Sequence, residues 1–205
     1  MKIITYNDND INANTYLIIN NDEAIIIDPA NDLTMIKKEL ASIKLVGIFL
    51  THGHYDHFRK LEETLSLNDN IKVYMHKDAI SKLKDPNKSC AKFFGITEGL
   101  NIDEDKIIKV YDNEIIKIIG LDIKILALPG HTSCSVGYLI SDNLFIGDVI
   151  FNYGIGRYDL PSSSYKDTIN TLIKVSKLNQ NLHIYPGHDN DFILKDGNYL
   201  DYINK

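Results

Sequence analysis

The sequence predicts an α/β protein in which two β-sheets pack together with helices outside. Three observations predict it. In the first half, short apolar runs of strand length alternate with segments of helical period. The second half is dense in strands before it reaches a helix. The runs also end, repeatedly, in turns bearing histidine or aspartate, and layered α/β proteins place their ligand sites beyond the carboxyl ends of strands.

Residues 2–6, 15–19 and 24–28 read as strands, with Asn20-Asn21-Asp22 turning the chain between the last two. Ile25-Ile26-Ile27 is apolar on both faces, which marks a central strand. Asp28-Pro29 stops it; Asp28 could cap the following segment or touch the site, and a supporting structural role is the expected one. Residues 31–42 set Leu33, Ile36 and Leu40 at helical spacing, with Asp32 near the start, so an amphipathic helix should cover the sheet. A strand at 45–50 follows and runs directly into Thr51-His52-Gly53-His54-Tyr55-Asp56-His57-Phe58. Residues 58–67 carry Leu61, Leu65, Glu62 and Glu63 in a helical pattern, and 71–75 is another strand.

The stretch 77–105 is the least regular. A short helix at 78–83 ends at Asp85-Pro86-Asn87, and an aromatic pair follows in Phe93-Phe94-Gly95. The pair reads as a satellite core under a long loop, with a lid or substrate-facing loop as the alternative. Cys90 reads as an unreactive thiol. Strands are then expected at 107–111, 114–119 and 122–128, the last leading into Pro129-Gly130-His131-Thr132. Two more, 135–140 and 143–146, join at Ser141-Asp142, and the second ends in Gly147-Asp148. A helix at 165–178 presents Ile169, Leu172, Ile173 and Val175. A strand at 182–185 ends in Pro186-Gly187-His188, and 192–203 should be a short helix or irregular cap.

Composition bounds the function. At 205 residues the chain is expected to form one domain, 1–205, with a core that needs no disulfides. A net charge of -6 and a pI near 5.6 argue against a general nucleic-acid surface. Cys90 and Cys134 are far apart in sequence and form no disulfide framework, so a reducing cytoplasm is the expected compartment. The first ten residues turn acidic before any signal-like apolar region, and no apolar run approaches membrane-spanning length. The expected partner is therefore a small molecule, not nucleic acid or membrane; no oligomeric state is implied.

His52, His54, Asp56 and His57 form the pattern HxHxDH. Imidazole and carboxylate are good ligands for zinc and iron. His52 and His54 alternate in an extended turn and can aim both rings one way, while Asp56 and His57 point towards a second position. His131, Asp148 and His188 stand at further strand ends. That leaves His76 and His183, which are expected at the surface or behind the ligands.

HxHxDH, then Gly-His-Thr, Gly-Asp and Pro-Gly-His, resembles the metallo-β-lactamase superfamily over almost the whole chain. Gly130-His131-Thr132, and Gly147-Asp148 followed by Gly156-Arg157-Tyr158-Asp159-Leu160-Pro161, resemble its glyoxalase II-like (hydroxyacylglutathione hydrolase-like) group; 14–18 fits that group too. The resemblance implies a four-layer αβ/βα sandwich of two mixed β-sheets with helices on the outer faces. It implies two divalent metal ions, zinc first, with iron or manganese as alternatives. His52, His54 and His131 would hold the first ion, Asp56, His57 and His188 the second, and Asp148 would bridge them. The implied reaction is thioester hydrolysis by a hydroxide bridging the two ions, with Asp56 orienting it. Arg157 and Asp159 are expected to pair with each other behind the ligands rather than meet substrate.

Three departures fall at the substrate edge: Phe58-Arg59-Lys60 after HxHxDH, Cys134 after His131, where packing is expected, and Asp189-Asn190-Asp191 after His188. Dedicated glyoxalase II enzymes add a helical region that grips glutathione. This chain reaches Lys205 soon after His188, so the resemblance leaves the substrate and its thiol carrier open and does not carry over lactoylglutathione. Two other readings stand beside the hydrolase. One is a persulfide dioxygenase-like enzyme with a single iron on His52, His131 and Asp148. The other is a binding module whose metals are only structural.

Overall fold

The computed structural model describes residues 1–7 and 13–203. Its first sheet contains β1 (Lys2–Asn7), β2 (Asn14–Asn20), β3 (Glu23–Ile27), β4 (Lys44–Phe49), β5 (Lys72–His76) and β6 (Ile107–Val110), arranged in chain order. The pairs β1/β2 and β2/β3 are antiparallel; from β3 to β6 every pair is parallel. The second sheet is built from β7 (Ile115–Ile118), β8 (Leu121–Ala127), β9 (Val136–Ile140), β10 (Asn143–Gly147), β13 (His183–Pro186) and β14 (Phe192–Ile193). Its spatial order is β14-β13-β10-β9-β8-β7, and β10/β13 is its one parallel pair. A separate small hairpin joins β11 (Ile150–Phe151) to β12 (Gly154–Ile155). Both large sheets are mixed, as expected.

The period of two along each strand sorts side chains into layers. In β3, Ile25 and Ile27 face the space between the sheets, while Ala24 and Ile26 face outward. Phe145 of β10 lies between the sheets, and Leu144 and Ile146 lie outside. Helix α1 (Leu33–Glu39) covers the first sheet with Leu33 and Ile36; Asp32 caps it by accepting the Thr34 N–H at 2.8 Å. On the opposite outer face, α5 (Tyr165–Ser176) buries Leu172 and Val175 against the second sheet, and Ser164 caps its start. Fully burying each such side chain contributes about 1.5–3 kcal/mol.

Two bonds between the sheets position the end of β4. Tyr138, fully buried, donates its hydroxyl to the Leu50 carbonyl at 2.7 Å, and the Val136 N–H donates to the Thr51 carbonyl at 2.8 Å. The loop that follows β4 is thereby held against β9.

The helix expected at 58–67 is two pieces: α2 (Tyr55–Phe58) and α3 (Leu61–Leu65). The Lys60 N–H turns to the Pro29 carbonyl at 2.9 Å, so the helical ladder breaks there. The hairpin of β11 and β12 and the strand β14 have no counterpart in the sequence reading, because two-residue strands carry no periodicity. The expected helix at 78–83 is α4 (Lys77–Leu83). No helix among the described residues is long and apolar enough to cross a membrane.

Candidate metal centre

The turns after β4, β8, β10 and β13 converge. His52 and His54 follow β4 in an extended stretch, with φ -85° and ψ 143° at His54. Helix α2 then begins at Tyr55, so the chain turns sharply and carries Asp56 and His57 to a different side. Two groups result. In one, His52, His54 and His131 gather; in the other, Asp56, His57, Asp148 and His188. Within each group the candidate ligand atoms lie within 4.8 Å of one another. All seven residues singled out in the sequence are brought together.

Asp148 stands between the groups. Its Oδ2 is 3.5 Å from His131 Nε2 and 3.4 Å from His188 Nε2, and its Oδ1 is 3.2 Å from His57 Nε2. Asp56 Oδ2 lies 3.3 Å from His188 Nε2 and 3.6 Å from His57 Nε2. His131 Nε2 faces His54 Nδ1 at 2.9 Å.

The far nitrogens of the rings are occupied. His131 donates from Nδ1 to the Arg157 carbonyl at 2.8 Å. His57 donates from Nδ1 to Asp28 Oδ2 at 2.9 Å. That same carboxylate accepts the Thr51 hydroxyl at 2.6 Å and the Thr51 N–H at 2.8 Å, and Thr51 Oγ1 lies 3.1 Å from His52 Nδ1. These partners assign the tautomers and leave the Nε2 atoms of His52, His57 and His131 turned inward. His52 Nε2 and His54 Nε2 are buried and make no hydrogen bond within the protein, and the buried His57 Nε2 and Asp148 Oδ1 meet each other only as an ion pair at 3.2 Å. Buried polar atoms are rarely left so. Imidazole nitrogens and carboxylate oxygens oriented from behind are the donor set that zinc, iron or manganese takes, so the residues fit divalent ions.

The two groups differ electrostatically. Burial pushes His52 well below the ordinary histidine range, and pushes His54 down to about 3 with neighbouring imidazoles adding to it. Burial also lowers His131, against the pull of Asp148. In the other group burial works against charge, but the carboxylates prevail. Asp148 and Asp56 hold His57 well above its ordinary value and His188 up to about 10. His57 and His188 in turn hold the Asp148 carboxyl well below the usual carboxylate range, despite its burial.

Two glycines make room. A Cβ on Gly187 would stand 2.0 Å from Asp148 Oδ1 and 2.6 Å from His57 Cε1. Gly147 has φ 57°, and a Cβ there would meet Thr51 Oγ1 at 2.5 Å. The Pro-Gly-His and Gly-Asp motifs thus keep the backbone close enough for His188 and Asp148 to reach the centre.

Several supports were not singled out in the sequence. Asn14 donates its backbone N–H to the Gly187 carbonyl at 2.7 Å, and its Nδ2 donates to the carbonyls of Pro186 and Asp189 at 3.1 and 2.9 Å. It clamps the turn that carries His188. Asp28, expected to support, does so by touching His57 directly. Arg157 and Asp159 do pair, Nε to Oδ1 at 2.8 Å and Nη2 to Oδ2 at 2.9 Å, but the pair is exposed instead of lying behind the ligands; the Arg157 backbone carbonyl is what holds His131.

The remaining histidines stay outside both groups: His76 caps α4, and His183 pairs with Asp191. Cys134 is fully buried beside Thr132 in the core, and burial raises its thiol, so it packs as expected. Among the departures, Phe58 is core, while Arg59 lines a neighbouring recess of about 460 Å³. The stretch at 77–105 divides: Leu83, Cys90 and Ala91 are buried, whereas Phe93 and Phe94 stand exposed at a cleft of about 390 Å³ whose floor is His54, Asp56, His131, Asp148 and His188. The aromatic pair is therefore not the satellite core expected of it: the buried places under this stretch are taken by Leu83, Cys90 and Ala91, and the two rings are left at the cleft.

Comparison with known proteins adds four findings. A family model described as "Metallo-beta-lactamase superfamily" matches residues 8–188. The chain is 32% identical over 204 residues to "Hydroxyacylglutathione hydrolase 1" of Vibrio vulnificus, covering 98% of this chain and 72% of that protein. It is 29% identical over 168 residues to "Probable polyketide biosynthesis zinc-dependent hydrolase PksB" of Bacillus subtilis, covering 80% of this chain and 67% of that one. The fold is shared with the crystal structure of the BLEG-1 B3 metallo-beta-lactamase, at a TM-score of 0.86, 24% identity and 95% coverage of each chain.

Proposed function

The chain belongs to the metallo-beta-lactamase superfamily, and from that premise we propose that it is a metallohydrolase acting on small thioesters with two divalent ions. The observation that carries the reading is Asp148, whose carboxylate reaches His131 on one side and His57 and His188 on the other. His52, His54 and His131 would hold one ion and Asp56, His57 and His188 the second, with Asp148 within reach of both groups. Zinc suits the mixed imidazole and carboxylate set, and the name of the Bacillus relative supports it. The Vibrio relative, named as a hydrolase of a glutathione thioester, supports the reaction class. The chain acts as one domain, 1–205.

Bound there, divalent ions supply a water of lowered pKa and positive charge opposite a developing oxyanion. The protein's own groups do the rest. Asp56 borders the cleft, where its carboxylate would accept a hydrogen bond from the attacking water and so orient it. Asp28 and the Arg157 carbonyl hold the His57 and His131 rings in place through their Nδ1 atoms, so the site pays little reorganisation as charge develops. A thioester releases a thiol whose pKa is about 8.5, which leaves as thiolate with little help from a proton donor.

The test is metal content followed by turnover. Protein purified without chelator or added metal should carry about two zinc ions per chain by inductively coupled plasma mass spectrometry. It should also release thiol from simple acyl thioesters, followed with a thiol reagent. About one iron and little zinc would turn the assignment to the mononuclear iron reading. Full zinc with no hydrolysis of thioesters or lactones would overturn the substrate class.

A further inference from the structure

We propose that Phe93 and Phe94 form, with Phe151, Ile155 and Leu160, an apolar seat for the acyl side of the substrate, so that the site selects bulky uncharged acyl groups and makes no use of an anionic thiol carrier such as glutathione. The inference rests on the hydrolase reading above and names its substrate class.

Exposure and anchoring at the aromatic pair carry the first half. Phe93 is 75% exposed and Phe94 43%, adjacent in sequence and bordering the cleft. Two large apolar rings held in water are a standing source of binding energy for an apolar ligand. They are not on a loose loop. They end the short helical turn Ala91–Phe94, flanked by left-handed residues at Cys90 (φ 60°) and Gly95 (φ 75°). Ser89, Cys90 and Ala91 beneath them are buried. The Ser89 carbonyl accepts the Tyr55 N–H at 2.9 Å, and the Tyr55 ring lies 5.6 Å from that of Phe94. Tyr55 sits between His54 and Asp56, so the pair is tied to the metal loop itself. Across the cleft, Phe151 stands on the β11–β12 hairpin with its ring 6.2 Å from that of His188. The acyl group of a substrate whose carbonyl lies over the floor therefore meets aromatic rings.

Charge carries the second half. Among the described residues bordering the cleft, Arg157 is the sole lysine or arginine. Its guanidinium is already engaged through Nε and Nη2 by the two oxygens of Asp159, and Asp189 adds a negative charge at the same rim. Away from ions held at the floor, the two carboxylates of glutathione would meet one cation already paired with Asp159 and one repelling anion at the rim. An uncharged thiol arm meets no such cost.

The test reads binding, not turnover. Metal-loaded protein is titrated calorimetrically with non-hydrolysable thioethers: S-methyl-, S-butyl- and S-hexyl-N-acetylcysteamine, and S-hexylglutathione. Half of the full transfer value gives about twofold per methylene, so affinity should rise about tenfold or more from methyl to hexyl. S-hexylglutathione should bind no more tightly than its neutral counterpart. In Phe93→Ser and Phe94→Ser the hexyl-to-methyl ratio should fall severalfold. A flat chain-length series overturns the seat. A full ratio in both variants overturns its assignment to these rings, and S-hexylglutathione binding tenfold tighter than the neutral hexyl probe overturns the charge argument. A retained chain-length series in a protein that hydrolyses no thioester supports the seat and overturns the hydrolase reading alone.

Discussion

The two ligand groups are built from similar residues and solve different problems. His52, His54 and His131 are all buried, and burial pushes all three towards the neutral form. Asp56, His57, Asp148 and His188 compensate one another: carboxylates hold the imidazoles up, and imidazoles hold Asp148 down. The first group also lies deeper, while the His188 and Asp56 side chains keep 24% and 17% of their exposure. The difference teaches where each group's preference for a cation comes from. In the first it comes from lone pairs aimed inward that find few protein partners. In the second it comes from negative charge, with the protein's own imidazolium groups as competitors.

That contrast can be broken at several points. The largest effect belongs to Asp148→Asn, because this carboxylate faces both groups. Metal content should fall to about one ion per chain or less, and thioester hydrolysis by more than about a hundredfold. Two retained ions would show that Asp148 is not shared. Next come His131→Ala and His188→Ala, one from each group. Each should lower metal content by about one ion and activity by about a hundredfold, and chelator titration should find the ion that remains in each to differ in affinity. If both variants lost both ions alike, the groups would not be separable.

Asp28→Asn sharpens the comparison from behind. Asp28 holds His57 directly and reaches His52 only through Thr51. Affinity in the second group should fall by about 10- to 100-fold, with a smaller change in the first; a larger change in the first would reverse the assigned support. The smallest effect is expected far from both groups. Asp112 accepts from Lys174 at 2.8 Å and from the Ala127 N–H at 2.7 Å, which lower its carboxyl against partial burial. Its stabilising contribution is therefore present above the ordinary aspartate value of about 3.9, and is lost as pH falls through its lowered value in the fold. Asp112→Asn should lower Tm by no more than about 2 °C at pH 7, and the gap should close in strong acid. A gap that persisted there would assign the effect to packing.

Much of this was legible in the residues. Ile25-Ile26-Ile27 announced a central strand because both of its faces are covered, one by the facing sheet and one by helices. The Asn21 and Ser141 turns were legible because short polar residues tolerate positive φ, here 56° and 53°. All seven candidate ligands were visible as histidines and aspartates at strand ends. Of the supports, Asp28 was legible and others were not. Asn14 sits at the start of an ordinary strand, and the Arg157 group that matters to His131 is a backbone carbonyl, which no residue type identifies. The helix expected at 58–67 is shortened to Leu61–Leu65 for a related reason: its apolar spacing is real, but the Lys60 N–H is claimed by the carbonyl of Pro29, over thirty residues earlier in the chain, a contact that forms only on folding.

By itself the sequence determined the longer strands, the helices outside them and which side chains would stand beyond strand ends, because these follow from local periodicity and turn chemistry. Tertiary structure alone decided that turns near residues 52, 131, 148 and 188 meet at one place, that Asp148 falls between two groups, and that Phe93 and Phe94 face the cleft. Distances of that kind depend on how β4 and β10 are seated in two different sheets. That seating is set by contacts such as Tyr138 to Leu50 and Val136 to Thr51, between residues remote in the chain, and such contacts leave no local trace in sequence.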